Sequence, residues 1–444
     1  MAPDGKPNAR QSVSNRSISR RSALRGLGAA SLVGLAGCTG GSNNGDGGDG
    51  GDGGDGGDGG DGGASGPDKI TIGLQADMTG VLASYGYWHK RVLEGYVEEL
   101  NANDGINGAE VELVVEDTAT DSKQGVQAMR KLVQQKGADF VIGSQSSGVS
   151  IATNPLAKQL KVPYFPIGEA PSITGADGTR WTIRNNHSTN HAAILAVQYG
   201  LENLGKNWTI MYQDYAFGQQ YTEWVKREVE GSGTVLTEIP VPVGTSDLNS
   251  YLNKVPDDTE VLFNALVGPS ALNFLKQSAD LGTPGARLGP IASVEGVDVS
   301  GLDAGADGAA YVTMLPRRLE EADNEYNRHL RDIARVDESD QVLNGGHYFV
   351  SYEALSWIKD AVTETGWSSE SDNQAFIEWF ETGPSVEQSN AYPQGKKLFR
   401  GTDHQAFMDM YIEEISGGKL TVAEHIEVSE PTFDAQSDLS AMSF

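Results

Sequence analysis

Few residues of this 444-residue chain are placed to do chemistry, and their spacing excludes the common reactions before any fold is considered. There is no Gly-x-Ser-x-Gly elbow, no phosphate loop ending Gly-Lys-Ser/Thr and no His-Glu-x-x-His, so three frequent catalytic frames are missing. The single cysteine, Cys38, forbids an internal disulfide and lies too far forward to serve as a nucleophile. His187 and His191 are spaced to share a helix face. Two histidines without a placed third ligand more often cap or pack than bind zinc, so neither a metal nor a cofactor is expected. Asn186-His187-Ser188 and Asn207-Trp208-Thr209 match the N-glycosylation pattern, which is common by chance. Ser146-Ser147-Gly148 stands out. It opens a helix at Val149, where unpaired amides and the positive dipole end suit a carboxylate, each charge-assisted bond contributing about 1.5–3 kcal/mol. A serine there is equally an ordinary N-cap.

These residues are carried by an alternation of strands and helices. Residues 69–74 read as a strand, by alternation and β-branching. Trp88, Val92, Tyr96 and Leu100 then recur every fourth residue, one apolar face of a helix. Strands follow at 111–115, 140–142 and 162–166, with helices at 124–135 and 151–160. This order predicts a parallel sheet with right-handed crossovers. The pattern restarts with strands at 208–212, 235–243 and 261–263 and helices at 219–230 and 271–281. Two such units exceed one core, so two lobes are expected. Helices at 320–333 and 346–365 lack enough strands for a third sheet and are expected to return to the first lobe. In open α/β sheets ligands sit outside the carboxyl ends of the strands, which makes the cleft between lobes the default site.

The first 68 residues belong to neither lobe. Ser19-Arg20-Arg21-Ser22-Ala23-Leu24-Arg25 carries the twin arginine of a Tat export signal. The weakly apolar stretch after it, 26–37, is too short and glycine-rich to span a bilayer as a helix. It ends in Leu35-Ala36-Gly37-Cys38, which resembles a lipobox, so residues 1–37 are expected as a leader and Cys38 as the lipidated residue. One acyl chain anchors only marginally, so a second is expected. Residues 38–68, dominated by Gly-Gly-Asp repeats without an apolar residue to bury, read as a disordered tether. Without residues 1–37 the chain holds 27 bases and 60 acids, a net charge of −33. Such a polyanion excludes nucleic acid and anionic membrane surfaces as electrostatic partners. It also suits a protein from a high-salt medium, since at molar salt the Debye length shrinks to about 3 Å.

A family resemblance emerges from the order of the motifs. Ile70-Thr71-Ile72-Gly73-Leu74, Met78-Thr79-Gly80, Ser84-Tyr85-Gly86, Gly105-Ile106-Asn107-Gly108 and the stretch Val141-Ile142-Gly143-Ser144-Gln145-Ser146-Ser147-Gly148 resemble the leucine/isoleucine/valine-binding protein family. Asp214-Tyr215-Ala216-Phe217-Gly218 and residues 348–355 continue in register, so the likeness covers about 69–415. It implies a type I periplasmic binding protein of class α/β: two Rossmann-like lobes joined by three crossovers, 69–186 with 314–390 and 187–313 with 391–444, hinged near 184–187, 313–316 and 389–393. It implies an extracytoplasmic binding protein delivering an amino acid of branched-chain type, or a related small polar solute, to the permease of an ABC importer. Presentation of the same solute to a chemotaxis transducer is one alternative, and a urea or short-amide binder is another.

The ligand set implied by the resemblance is Tyr85, Ser146, Ser147, Gly168, Glu169, Phe217, Glu295 and His347. Ser147 corresponds to the serine that bonds the ligand carboxylate, Glu295 to the acid that holds the ammonium, and Tyr85 and Phe217 to apolar walls. Val267 and His347 stand where aromatic residues are frequent, which argues against strict leucine selectivity. Glu169 departs from the threonine usual in amino-acid binders. A buried glutamate beside a ligand carboxylate is costly unless paired, so it either binds the ligand's cation or the ligand lacks a carboxylate there. Urea- and short-amide-binding relatives share this glutamate, and they resemble the chain again at Gly395-Lys396-Lys397 and Asp403-His404-Gln405.

Overall fold

The computed structural model describes residues 15–17 and 66–444, apart from 296–298, 303, 317–322 and 337–346. The twin-arginine segment, Cys38 and the Gly/Asp repeats therefore lie outside the described residues. Of the first 65 residues, Asn15–Ser17 (β1) is described, a short strand.

Every residue of β2 (Lys69–Ala76) after Lys69 is buried, so the strand has no solvent face and must be central. It lies parallel between β3 (Glu110–Asp117) and β4 (Phe140–Gly143), with β5 (Tyr164–Phe165) beyond β4. Helices α1 (Ala83–Ala102), α2 (Ser122–Lys136) and α3 (Ser147–Leu160) make the connections. Local chemistry sets their ends: the Asp121 carboxylate accepts the amides of Lys123 and Gln124 at the start of α2, and Gly137 ends it with a φ of 66°.

The second sheet repeats the strand order. α4 (Thr189–Asn203) leads into β6 (Asn207–Gln213), α5 (Ala216–Val229) and β7 (Thr234–Val241). After the short α6 (Asn249–Leu252) come β8 (Val261–Ala265), α7 (Pro269–Asp280), β9 (Ala286–Pro290) and β10 (Ala310–Thr313). The parallel order is β7-β6-β8-β9-β10. In each sheet the first strand lies between the second and the third, which puts a topological switch point, and hence a crevice, beside its carboxyl end.

After β10 the chain returns to the first sheet through α8 (Glu325–Ile333), α9 (Phe349–Thr365) and α10 (Asn373–Glu381). Phe376 packs on Phe140 at 4.7 Å between ring centroids and Phe380 on Phe165 at 5.7 Å. Each such buried ring contributes about 1.5–3 kcal/mol. The stretch from 391 onward, expected in the second lobe, divides. β11 (Ser385–Val386), β12 (Lys397–Arg400) and β13 (Gln405–Met408) form a small antiparallel sheet beside α10. β14 (Met410–Ser416) and β15 (Lys419–Glu427) extend the large sheet antiparallel, and β1 pairs with β15. The third passage between sheets thus falls at Asp409, between β13 and β14, rather than at 389–393. Gln394 ties two passages together, donating from Nε2 to Met314 O at 2.8 Å and Asp409 O at 2.5 Å.

Two glycines mark the repeat. A Cβ on Gly86 would lie 2.3 Å from Asp77 O, and one on Gly218 2.1 Å from Gln213 O. Each absent side chain lets a helix start directly over the end of the first strand of its sheet. Tyr85 and Phe217, the residues just before these glycines, are thereby delivered to the strand ends.

Candidate functional site

The carboxyl ends of β2 and β4 converge on Asp77, which is buried. Its carboxylate accepts Ser144 Oγ at 2.7 Å, the Gln145 amide at 3.0 Å and the Thr118 hydroxyl. Burial pushes its pKa up, against those hydrogen bonds. Asp77 thus fixes the β4–α3 loop from beneath. Ser146 is the cap of α3, accepting the Val149 amide at 3.4 Å, and Ser147 is the first helical residue. Ser147 Oγ accepts the amides of Glu169 and Ala170, each at 3.1 Å. Both lone pairs are then used, which leaves its own proton for an incoming acceptor. Gly168 makes this approach possible, because a Cβ there would lie 2.9 Å from Ser147 Cα and 2.8 Å from Ser150 Oγ. Buried Arg184 holds the same loop from behind, donating to Ala170 O at 2.7 Å, Thr174 Oγ1 at 2.9 Å and Gln405 Oε1 at 2.6 Å.

Glu169, Glu295 and His347 are brought together across the cleft. His347 Nε2 lies 2.8 Å from Glu169 Oε1 and its Nδ1 2.5 Å from Glu295 Oε1. Burial alone would lower the histidine pKa, but the Glu295 and Glu169 carboxylates, by charge and hydrogen bond, push it up to about 10. The ring is therefore an imidazolium that donates from both nitrogens. Tyr85 donates to the other oxygen of Glu295 and meets the His347 ring edge-on at 5.4 Å. Gln145 Nε2 donates to Glu169 Oε1 at 3.1 Å, and His187 Nε2 lies 3.5 Å from Glu169 Oε2. Burial would raise the Glu169 pKa, yet His187 and His347 hold it down at about 2. Behind Gln145, buried His89 bonds Ser351 Oγ at 2.7 Å. Burial keeps His89 near 3, His191 near 3 and His187 near 4, so all three are neutral at neutral pH.

The remaining expected residues divide. Phe217 packs within its own lobe, 5.0 Å from Tyr221 and 5.9 Å from Tyr215, and among the described residues none of its ring contacts reaches the His347 cluster. The Glu169 charge, after burial, helps raise Tyr215 to about 12 and also acts on Tyr221, so both of these second-lobe tyrosines feel that acid. His187 and His191 do not share a helix face: His187 precedes α4 and turns to Glu169, while His191 packs on Phe407 at 5.4 Å. Asn186 is buried and donates to Ile167 O at 2.7 Å, which closes that sequon to a glycan. Among the described residues no three His, Cys, Asp or Glu side chains converge as a metal site. Sequence reasoning missed Gln145, His89, Asp77 and Arg184. Gln145 lay inside a quoted motif, but nothing local marks the other three.

A fold with a switch-point crevice in each sheet and a polar cluster spanning the two defines a class of solute-binding proteins. Residues 69–419 match the family model described as "Periplasmic binding protein", and the chain belongs to that family, with the type I architecture. It is 32% identical over 221 residues to Leu/Ile/Val-binding protein homolog 2 of Brucella abortus, covering 48% of this chain and 58% of that relative. A solute-binding protein of an ABC transporter from Rhodopseudomonas palustris, solved with benzoate, superposes with a TM-score of 0.67 at 20% identity, covering 82% of this chain and 98% of that one. The branched-chain amino acid transporter substrate-binding protein of Streptococcus pneumoniae, solved with isoleucine, gives 0.67 at 17% identity over 81% and 100%. At these identities the structural likenesses bear on the fold alone.

Proposed function

We propose that this chain is the extracytoplasmic solute-binding subunit of an ABC importer, taking a small carboxylate-bearing solute of the branched-chain amino acid type or a related one. The observation that carries the reading is the cleft itself: Ser147 at the tip of α3 on one side, Glu295 from the other lobe opposite, and His347 with Glu169 between them. The match to the periplasmic binding protein family over 69–419 supports it, as do relatives named for leucine, isoleucine and valine. Ser147 donates to the carboxylate, Tyr85 walls the first lobe, Phe217 and Tyr215 the second, and Gly168 shapes the loop. None of these groups is a nucleophile beside a base, so the site binds and releases its solute unchanged. In this reading Tat export carries the folded protein out, Cys38 is lipidated, and residues 38–68 tether the lobes to the membrane within reach of the permease.

The test is a thermal-shift screen of amino acids, urea, short amides and aromatic acids in molar salt. A ligand at 100 times its Kd adds about 2.7 kcal/mol of stability. Ser147→Ala and Glu295→Ala are each expected to weaken the shift. A screen in which no compound shifts the transition rejects the reading.

A further inference from the structure

The two acids facing the cleft are not vacant. His347 lies between them with its side chain 2% exposed, 2.8 Å from Glu169 and 2.5 Å from Glu295, so an acid of each lobe is already bridged by a cation of the protein. The second oxygen of Glu295 accepts from Tyr85, and Glu169 also receives Gln145 at 3.1 Å and faces His187 at 3.5 Å. At the tip of α3, next to Glu169, the groups that face a ligand are donors: the Ser147 hydroxyl, whose lone pairs are used, and the amides of Ser147 and Gly148, the Val149 amide going to the Ser146 cap.

A ligand ammonium seated on Glu295, the acid opposite the tip of α3, would have to displace the imidazolium or the Tyr85 hydroxyl, because both oxygens of that carboxylate are taken. Displacing the imidazolium leaves a buried histidine with half its partners, a costly exchange of one charge for another. An acid without an ammonium asks for no exchange. Its carboxylate takes the Ser147 proton and the helix-tip amides, and the negative charge of Glu169 beside it is partly offset by His347, the cation it shares with Glu295. Resting on the reading of this cleft as a solute site, we infer that His347 is a specificity-determining residue, a built-in counter-cation, and that the ligand is a small carboxylic acid lacking an ammonium group.

Matched probes that differ only in the amino group test this: leucine against 4-methylpentanoate, phenylalanine against 3-phenylpropanoate, and phenylglycine against phenylacetate, with benzoate and urea alongside. Calorimetric titration of the intact protein at neutral pH in molar salt is expected to give at least tenfold tighter binding for an acid than for its amino counterpart. His347→Phe, which leaves Glu169 and Glu295 without their cation, is expected to shrink that preference at least tenfold. His347→Gln serves the same purpose if the phenylalanine variant does not fold. Tighter binding of any amino acid than of its matched acid overturns the inference while leaving the solute-binding reading intact, and so does binding of urea alone. A preference unchanged in a folded His347 variant overturns the role of the residue. Failure of every compound, here and in the wider screen, removes both.

Discussion

The cluster around His347 makes stability depend on pH in two directions, and the two sides report different residues. Above pH 6.5 an unfolded chain has lost the proton on His347, whereas the folded chain keeps it until about pH 10. The native state then binds one more proton than the unfolded state, and stability falls as pH rises, by about 1.4 kcal/mol per unit at most. Between pH 7.5 and 9.5 the loss from this group is about 2–3 kcal/mol. Below 6.5 the signs reverse. His89, His187 and His191 stay neutral in the fold down to about 3, 4 and 3, while the unfolded chain takes up all three protons. Stability should drop by about 5 kcal/mol from pH 6.5 to 5, comparable with the whole stability of a typical domain. Urea unfolding followed by tryptophan fluorescence, at fixed molar salt from pH 5 to 9.5, measures both limbs. His347→Gln should flatten the alkaline limb and leave the acid limb in place. A wild-type curve that is flat between pH 7.5 and 9.5, or an alkaline slope retained in the variant, refutes the bridging cation.

Other perturbations reach the parts that support the cleft. Lys397 and Glu353 form an ion pair with both side chains 0% exposed, and the Lys397 ammonium also donates to Asn185 O at 3.2 Å in the first passage between lobes. Lys397→Met alone should cost about 3–5 kcal/mol, because it strands a buried acid, while Lys397→Met with Glu353→Leu should recover most of that in the same denaturation assay. Arg184→Met removes the donors holding the 168–170 loop and should cost about 2–4 kcal/mol, with solute affinity falling alongside when titrated calorimetrically. Gly86→Ala forces a methyl to 2.3 Å from Asp77 O and should lower the urea midpoint markedly, whereas Gly137→Ala meets no atom within 4 Å and should cost only the strain of its positive φ. The net charge of −33 left after residue 37 implies that raising salt from 0.1 to 1 M, which shortens the Debye length from about 10 to 3 Å, raises the midpoint. Full stability in dilute buffer would count against a high-salt origin.

The repeated sheet was legible because its strands are short, apolar on both faces and separated by amphipathic helices; the strand expected at 69–74 is found at Lys69–Ala76, and the helix at 124–135 at Ser122–Lys136. α4 was not read, for a physical reason. It is buried along nearly its whole length, so it carries no stripe of 3.6-residue period to set it apart from a linker. β12 and β13 hold Lys397 and Gln405, buried polar residues paired with distant partners, and so show none of the alternation that marks a half-buried strand. Within the site, Ser147, Glu169 and Glu295 were visible as residues in motifs, but their connection was not. His347 reaches Glu169 across 178 residues of sequence and Glu295 across 52, and Arg184 works through carbonyl and side-chain oxygens that no motif records.

The most direct test is a crystal structure of the protein with the tightest compound from the solute screen. The compound is expected between the lobes, with its carboxylate in hydrogen-bonding reach of Ser147 Oγ and His347 still joined to both Glu169 and Glu295. A compound bound away from the tip of α3, or an ammonium seated on Glu295 with His347 turned aside, would contradict that expectation.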